Sequence, residues 1–306
     1  MKNEIVNLLI KENKVPVESA DEIASLNMSE FVSTIKEIGV GKTEYIKREK
    51  LMEDFESDYF SDNVYVFKEV LSTNTLAKFF AEQDEVKNSI IISEKQTKGR
   101  GRLGKTWESP LGGIWLSLII KPDDIEQSKA SLITLATGVA VANAIRSLGI
   151  DDVEIKWPND ILIGGKKVSG ILTEATAKLN TIKYIVIGVG IDVNFDSEKI
   201  SNDVQDLSIS LKAATGKQVD EVDVIKKFLK EFEIIFKDFE NKEYEKILKQ
   251  WRKESYSIGK YAHIKEPFDT SFDGYIIGIN KEGALIVETA DGSLRKVISG
   301  ECKIKN

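Results

Sequence analysis

Apolar residues recur along this chain with two periods, and the change from one to the other divides it into three regions. Residues 1 to about 60 follow the helical period. Ile5, Val6, Leu8, Leu9 and Ile10 give a first short helix its apolar face. Ser19-Ala20-Asp21-Glu22 forms a capping box that opens a second. Phe31, Ile35 and Ile38 recur at helical spacing and predict a third, over Ser29 to Ile38. The run Glu53-Asp54-Phe55-Glu56-Ser57-Asp58 then reads as a solvated acidic connector.

From Val64 to about Asn194, short strand-like runs alternate with helices. Val64 to Phe67 and Ser89 to Ile92 are β-branched and aromatic runs separated by a helix over Thr75 to Glu82. Ile114 to Ile120 reads as a buried strand, and Ala130 to Ile145 as a buried helix because Thr134, Thr137 and Asn143 interrupt it. Glu154 to Asp160 leads into a hairpin, with Ile161-Leu162-Ile163 and Val168 to Leu172 flanking the tight-turn pair Gly164-Gly165. Tyr184 to Ile187 adds another strand, running on to Gly188-Val189-Gly190-Ile191-Asp192. Consecutive strands joined by tight turns predict an α+β fold with a central mixed sheet rather than a doubly wound one.

A long amphipathic helix follows, with Ile225, Phe228, Phe232, Ile235 and Phe239 on one side, a stripe that reads as core. From Gly259 onward short strands (Gly274 to Ile279, Ala284 to Glu288, Arg295 to Ile298) are broken by Gly and Asp turns, the pattern of a small β-barrel. The predicted organisation is 1–60 helical, 61–257 central and 258–306 barrel.

Composition narrows the chemistry. With 306 residues, 42% hydrophobic and 30% charged, the chain is an ordinary globular protein long enough for two or three domains. A net charge of -7 argues against a surface built for nucleic acid or anionic membrane. One cysteine (Cys302) excludes an internal disulfide framework and a thiolate metal cluster. One histidine (His263) excludes a His-rich metal site, so a metal would be a hard cation held by oxygens, Mg2+ first. Neither a signal peptide nor an apolar span is apparent, and the expected location is the cytoplasm, away from membrane.

Gly99 to Thr106 reads GRGRLGKT and fits the phosphate-loop pattern G-x-x-x-x-G-K-[ST] in every letter. A phosphate loop must open a helix whose N-terminal amides face the phosphates. Here Trp107-Glu108-Ser109-Pro110-Leu111-Gly112-Gly113 and then a strand follow, which is the wrong context. The loop still packs three glycines and three cations, Arg100, Arg102 and Lys105, into eight residues. Glycines let backbone amides approach a ligand closely, and arginine forks grip phosphate oxygens. An exposed basic loop is the plainer alternative. Lys156-Trp157-Pro158-Asn159-Asp160 could by itself be a structural turn, Lys166 and Lys167 ordinary turn lysines, and Gly188 and Gly190 packing glycines. Together they place glycines and cations at several strand ends of one domain, which suits phosphoryl or nucleotidyl chemistry.

These segments carry a family resemblance. Ser72-Thr73-Asn74, Gln96 with Gly99 to Trp107, Lys156 to Asp160, Lys167 to Leu172 and Gly188 to Asn194 occur in the order found in biotin protein ligases with an additional N-terminal domain. Gly283 to Glu288 and Ser299-Gly300-Glu301 extend the resemblance through the C-terminus. It implies a class II synthetase-like catalytic domain and an SH3-like barrel. The implied reaction joins biotin to ATP as biotinyl-5'-AMP, with Mg2+, and transfers the biotinyl group to a lysine of a biotin carboxyl carrier protein.

The resemblance also implies site roles. Ser72, Thr73, Asn74 and Gln96 would surround biotin, with Gly99, Arg100, Gly101, Arg102 and Gly170 closing on it and Gly188 and Gly190 as floor. Trp107 would pack on the intermediate, and Lys167 would touch the carboxylate and α-phosphate. Lys167, Arg102 and Arg100 would be catalytic. Arg102, Lys105, Trp107, Asn159, Lys167, Asp192 and Asn194 would meet the nucleotide, and Asp160 would neighbour the metal. The family usually has asparagine where this chain has Asp192. An amide donates and accepts, whereas an ionised carboxylate only accepts, so Asn194 is a candidate to compensate.

Family members that repress biotin genes carry a winged helix-turn-helix at the N-terminus. Here residues 1–60 hold eight Lys/Arg against thirteen Asp/Glu, a net of -5, and Ser29 to Ile38 has one lysine and two glutamates. DNA binding is therefore not expected, since phosphate contacts dominate DNA affinity. The alternatives are a lipoate ligase and a biotin-responsive repressor whose ligase activity is secondary; a homodimer is left open.

Overall fold

A computed structural model describes residues 27–39, 43–61, 63–83, 86–178, 180–195, 201, 207–267 and 270–305. The first two N-terminal helices expected from the sequence lie outside them. The third is helix α1 (Met28–Gly39), opened by a reciprocal cap in which Glu30 N donates to Asn27 Oδ1 (3.0 Å) and Asn27 N to Glu30 Oε2 (3.1 Å). A short helix α2 (Arg48–Met52) follows.

The central sheet has seven strands in the order β1-β2-β3-β7-β6-β5-β4. They are β1 (Val64–Val70), β2 (Ser89–Gln96), β3 (Gly113–Ile120), β4 (Val153–Lys156), β5 (Asp160–Ile163), β6 (Lys166–Lys178) and β7 (Thr181–Asp192). Only β1 and β2 run parallel; every other pairing in this sheet is antiparallel. The α+β assignment and the hairpin at Gly164-Gly165 therefore hold, with both glycines at positive φ (57° and 77°).

Strand runs that look uniformly apolar in sequence do so because both faces of the sheet are covered. Along β1, Val64 and Val66 enter one core and Tyr65 and Phe67 the other. The first core is closed by α4 (Ala130–Arg146) and α6 (Glu221–Glu240). The helical stretch Gln127–Arg146 that contains α4 is long and apolar enough to resemble a membrane span, yet 67% of that apolar window is buried. Asp220 caps α6, whose Phe232, Phe236 and Phe239 stack in succession at 5.3 and 5.8 Å between centroids. Helices α5 (Leu211–Thr215) and α7 (Tyr244–Lys253), which the apolar pattern does not predict, complete this side.

The second core lies under α1 and α3 (Thr73–Ala81). Helix α3 starts two residues before its expected position because Ser72 serves as N-cap for Thr75 N. Phe31, Val32 and Ile35 of α1 are buried here against Tyr65, Phe67 and Phe80. The acidic run at 53–58 is likewise not a free connector. Phe60 is buried, and Tyr59 packs edge-on against Phe236 at 5.4 Å. The buried carboxylate of Glu94 accepts from Ile46 N (2.9 Å), tying the preceding segment to β2.

The C-terminal unit is a five-stranded antiparallel sheet in the order β11-β10-β9-β8-β12. The strands are β8 (Tyr261–Lys265), β9 (Ser271–Ile279), β10 (Leu285–Glu288), β11 (Leu294–Val297) and β12 (Glu301–Ile304). The sequence reading found three of these five.

Candidate active site

Three glycines on neighbouring strands make a floor. In the β6–β7 ladder Gly170 is opposite Gly190, and Leu172 is opposite Gly188. A Cβ on Gly188 would lie 2.1 Å from Asn74 Oδ1, and one on Gly190 would lie 2.5 Å from Trp107 Nε1. A Cβ on Gly170 would meet the same indole at 2.8 Å. Any larger residue would displace Asn74 or Trp107.

The wall beside Gly188 is a polar network. Asn74 Nδ2 donates to Leu172 O (3.2 Å) and to Glu174 Oε2 (3.1 Å). Ser117 Oγ lies 2.7 Å from Asn74 Oδ1 and 2.8 Å from Thr73 Oγ1. Gln96 Oε1 accepts from Thr73 N (2.7 Å), while Gln96 Nε2 donates to Ser109 Oγ (2.8 Å). Thr73, Asn74 and Gln96 are thus brought together, while the hydroxyl of Ser72, the N-cap of α3, accepts from Thr75 N. Ser117 was missed, although a lone serine within the apolar run Gly113–Ile120 was the available signal.

The glycine-arginine loop folds back on itself rather than opening an α-helix. Trp107 N donates to Gly99 O (2.9 Å) and Gly101 N to Lys105 O (2.7 Å). Leu103 and Gly104 both take positive φ, at 54° and 76°, within a 3-10 turn over Arg102–Gly104. The phosphate-loop match is a coincidence of letters.

The cations of the site have different partners. Arg102 donates from Nη1 to Asn159 Oδ1 (3.2 Å) and Gly300 O (3.3 Å), and from Nη2 to Ser299 Oγ (3.4 Å). None of these is charged, and burial pulls its pKa down against the opposing pull of Asp160 and Glu301. Lys105 pairs with Glu301 at 2.6 Å. The C-terminal sheet therefore holds the loop from above. Lys167 pairs with Asp160 at 2.6 Å and sits 4.8 Å from the Trp107 ring centroid. Lys166 is exposed. Arg100, expected among the cations that neutralise phosphate, has its guanidinium on Glu174 (3.2 Å), a residue the sequence reading did not single out.

Trp107 Nε1 is a buried donor of the site with no acceptor, and the Asp192 carboxylate is 6% exposed with Lys167 as its charged neighbour. Gly188, Gly190 and Asp192 alternate on one face of β7. Burial pushes the Asp192 pKa well above the carboxylate range, with Lys167 opposing. Asn194 does not compensate for it. Its Nδ2 donates to Val219 O (2.6 Å) and Glu221 Oε1 (2.7 Å), and its Oδ1 accepts from Val219 N (2.9 Å). Both ends of the amide are committed to the turn before α6, so the expected nucleotide contact from this side chain is corrected.

Among the described residues no cluster of three or more His, Cys, Asp or Glu could hold a metal. Asp160 is paired with Lys167 and follows Asn159 in the chain.

Known proteins resemble this chain in sequence and in fold. Residues 66–192 match the Biotin/lipoate A/B protein ligase family, and residues 269–304 match the Biotin protein ligase C terminal domain. The chain is similar to the bifunctional ligase/repressor BirA of Bacillus spizizenii, 36% identical over 242 residues, covering 78% of this chain and 73% of the relative. It is also similar to the biotin--[acetyl-CoA-carboxylase] ligase of Mycobacterium tuberculosis, 27% identical over 208 residues, 67% of this chain and 74% of that one. Among solved structures, biotin protein ligase from Aquifex aeolicus in complex with biotin and ATP superposes with a TM-score of 0.69. It is 27% identical, and the match covers 80% of this chain and 99% of that one.

Proposed function

The chain belongs to the biotin/lipoate A/B protein ligase family and is a biotin protein ligase, and from that premise we propose how its residues activate biotin and pass it to a carrier lysine. The observation that carries the proposal is the glycine floor of Gly170, Gly188 and Gly190, with Trp107 above it and Arg102, Lys105 and Lys167 along its border. Biotin lies in the pocket lined by Ser72, Thr73, Asn74, Gln96 and Ser117, where hydroxyl and amide groups can meet a cyclic urea. Its carboxylate points toward Lys167.

The first step forms a bond between a carboxylate oxygen and the α-phosphorus of ATP and breaks the bond to pyrophosphate. Two anions must converge, so the barrier is largely electrostatic. Lys167 is placed to bridge them, because it already balances Asp160 and borders Trp107. Arg102 is held by neutral groups, so its charge is available to phosphate. Mg2+ would be held by Asp160 together with phosphate oxygens, a fit for a cation that takes one or two carboxylates and completes its shell with substrate and water. When bound it neutralises charge on the triphosphate. The orphan N–H of Trp107 is a donor awaiting an acceptor on the mixed anhydride, since a buried unmet donor costs about 1–3 kcal/mol.

In the second step the amine of a carrier lysine attacks the acyl carbon and AMP leaves. The loop from Gly99 to Thr106 keeps water from the anhydride until then. We place the reaction in the cytoplasm. The test is mass spectrometry of a biotin carboxyl carrier domain after incubation with ATP, Mg2+ and either biotin or lipoate. The expected product carries one biotinyl group; a lipoyl adduct, or none with biotin, would overturn the assignment.

Relatives named as ligase/repressors raise DNA binding as a second reading. The exposed residues of α1 include Glu30, Ser33 and Glu37, its apolar side is packed on the sheet, and residues 1–60 carry a net of -5. An acidic surface repels the phosphate backbone. No gel shift is expected with DNA from upstream of biotin genes.

A further inference from the structure

One carboxylate holds the glycine-arginine loop to the body of the domain. Glu174 lies on β6 and touches three elements. Arg100 of the loop forks onto it, Nη2 to Oε1 at 3.2 Å and Nη1 to Oε2 at 3.5 Å. Lys78 of α3 pairs with Oε1, the same oxygen that takes Arg100 Nη2. Asn74, which stands over Gly188 in the pocket wall, donates to Oε2 at 3.1 Å.

The geometry has a consequence. Two cations share one carboxylate oxygen, and each weakens the hold of the other by mutual repulsion and by competing for the same lone pairs. They are not equivalent. Lys78 is carried by a packed helix and stays near Glu174 whatever the loop does. Arg100 is carried by the exposed glycine-rich loop, which is free of that helix. When Arg100 leaves, Lys78 keeps Glu174 neutralised, so opening does not strand a half-buried charge.

We propose that Glu174 is the clasp that closes the glycine-arginine loop through Arg100, and that Lys78 is a competitor that keeps the clasp weak enough to open. Glu174 is a positioning residue: it reaches the ligand only through Arg100 and Asn74. The consequence for adenylate retention rests on the biotin-ligase reading; the clasp itself does not.

The two residues therefore have opposite effects. The loop contains tryptic sites after Arg102 and Lys105, so its opening can be read in the ligand-free full-length chain by the rate at which fragments ending there appear. Glu174→Gln keeps an oxygen for Asn74 but removes the charge that holds Arg100. Cleavage should rise roughly two- to fivefold, the size of a partly exposed ion pair. Lys78→Met removes the competitor, and cleavage should fall by a similar factor. In single-turnover reactions, dissociation of preformed biotinyl-5'-AMP should change in the same opposite directions. Arg100→Gln combined with Glu174→Gln should act no more strongly than either alone. A role in folding alone would make both single variants leakier, and that result for Lys78→Met overturns the proposal. So does unchanged cleavage in Glu174→Gln. Cleavage rates that move as expected in a chain forming no adenylate would uphold the clasp and refute the ligase reading instead.

Discussion

Replacing Asp192 by asparagine tests the electrostatics of the pocket floor. The carboxyl is 6% exposed and has its pKa pushed well up by burial against the opposing charge of Lys167. In the folded chain it keeps its proton at a pH where the unfolded chain has lost it. The folded state then binds more protons than the unfolded state, so ∂ΔG/∂pH is negative. Stability falls as pH rises from the free-aspartate pKa near 3.9 up to the raised folded value, by about 1.4 kcal/mol per pH unit for one proton. Asp192→Asn has the same shape and no proton to lose. Its stability advantage over the parent should be small near pH 4 and should widen at that slope as pH rises. Urea melts of both proteins over a pH series rising from 4 read it directly, and a gap that never widens above pH 4 would mean an ionised, paired Asp192 and would refute the reasoning. Because a protonated acid donates and accepts as an amide does, the variant should bind ATP like the parent wherever the parent keeps that proton.

Further predictions follow from the same geometry. Lys167→Ala should bind biotin almost normally and form adenylate about 100- to 1,000-fold more slowly in single turnover, the cost of one preorganised charge contact, while Lys166→Ala, exposed, should be nearly silent; equal small effects would make both ordinary turn lysines. Gly190→Val would drive a side chain into Trp107, whose Nε1 is 2.5 Å from the Cβ position, and should cost roughly 1–3 kcal/mol with a matching loss of biotin affinity by calorimetry. A chain starting at Asn63 uncovers the surfaces under Phe31, Ile35, Leu51 and Phe60, at about 1.5–3 kcal/mol for each large side chain, and an unchanged melting temperature would show that these contacts contribute nothing.

Much of the architecture is legible in the chain because it depends on near neighbours. The apolar run Val64 to Phe67 and the aromatic stripe on Glu221–Glu240 follow from how one element meets its core, and the Gly164-Gly165 turn from its own two residues. The glycine-arginine loop and the Lys156–Asp160 turn could be read the same way, and the right context ruled out a phosphate loop. Gly188 and Gly190 can be read from sequence as packing glycines, and the family resemblance adds Gly170, but neither says that Asn74 and Trp107 are what approaches them. Only the tertiary structure decided how charges and amides are shared. Arg102 meets Gly300 across 198 positions, Arg100 meets Glu174 across 74, and Asn194 turns its amide to Val219 rather than to the pocket. The two strands missed in the C-terminal sheet, Tyr261–Lys265 and Glu301–Ile304, pair with each other in the same long-range way. Periodicity reports which face a residue occupies. Which partner it finds there is set by the packing of distant elements, because hydrogen bonds and ion pairs act over a few ångströms whatever the separation along the chain.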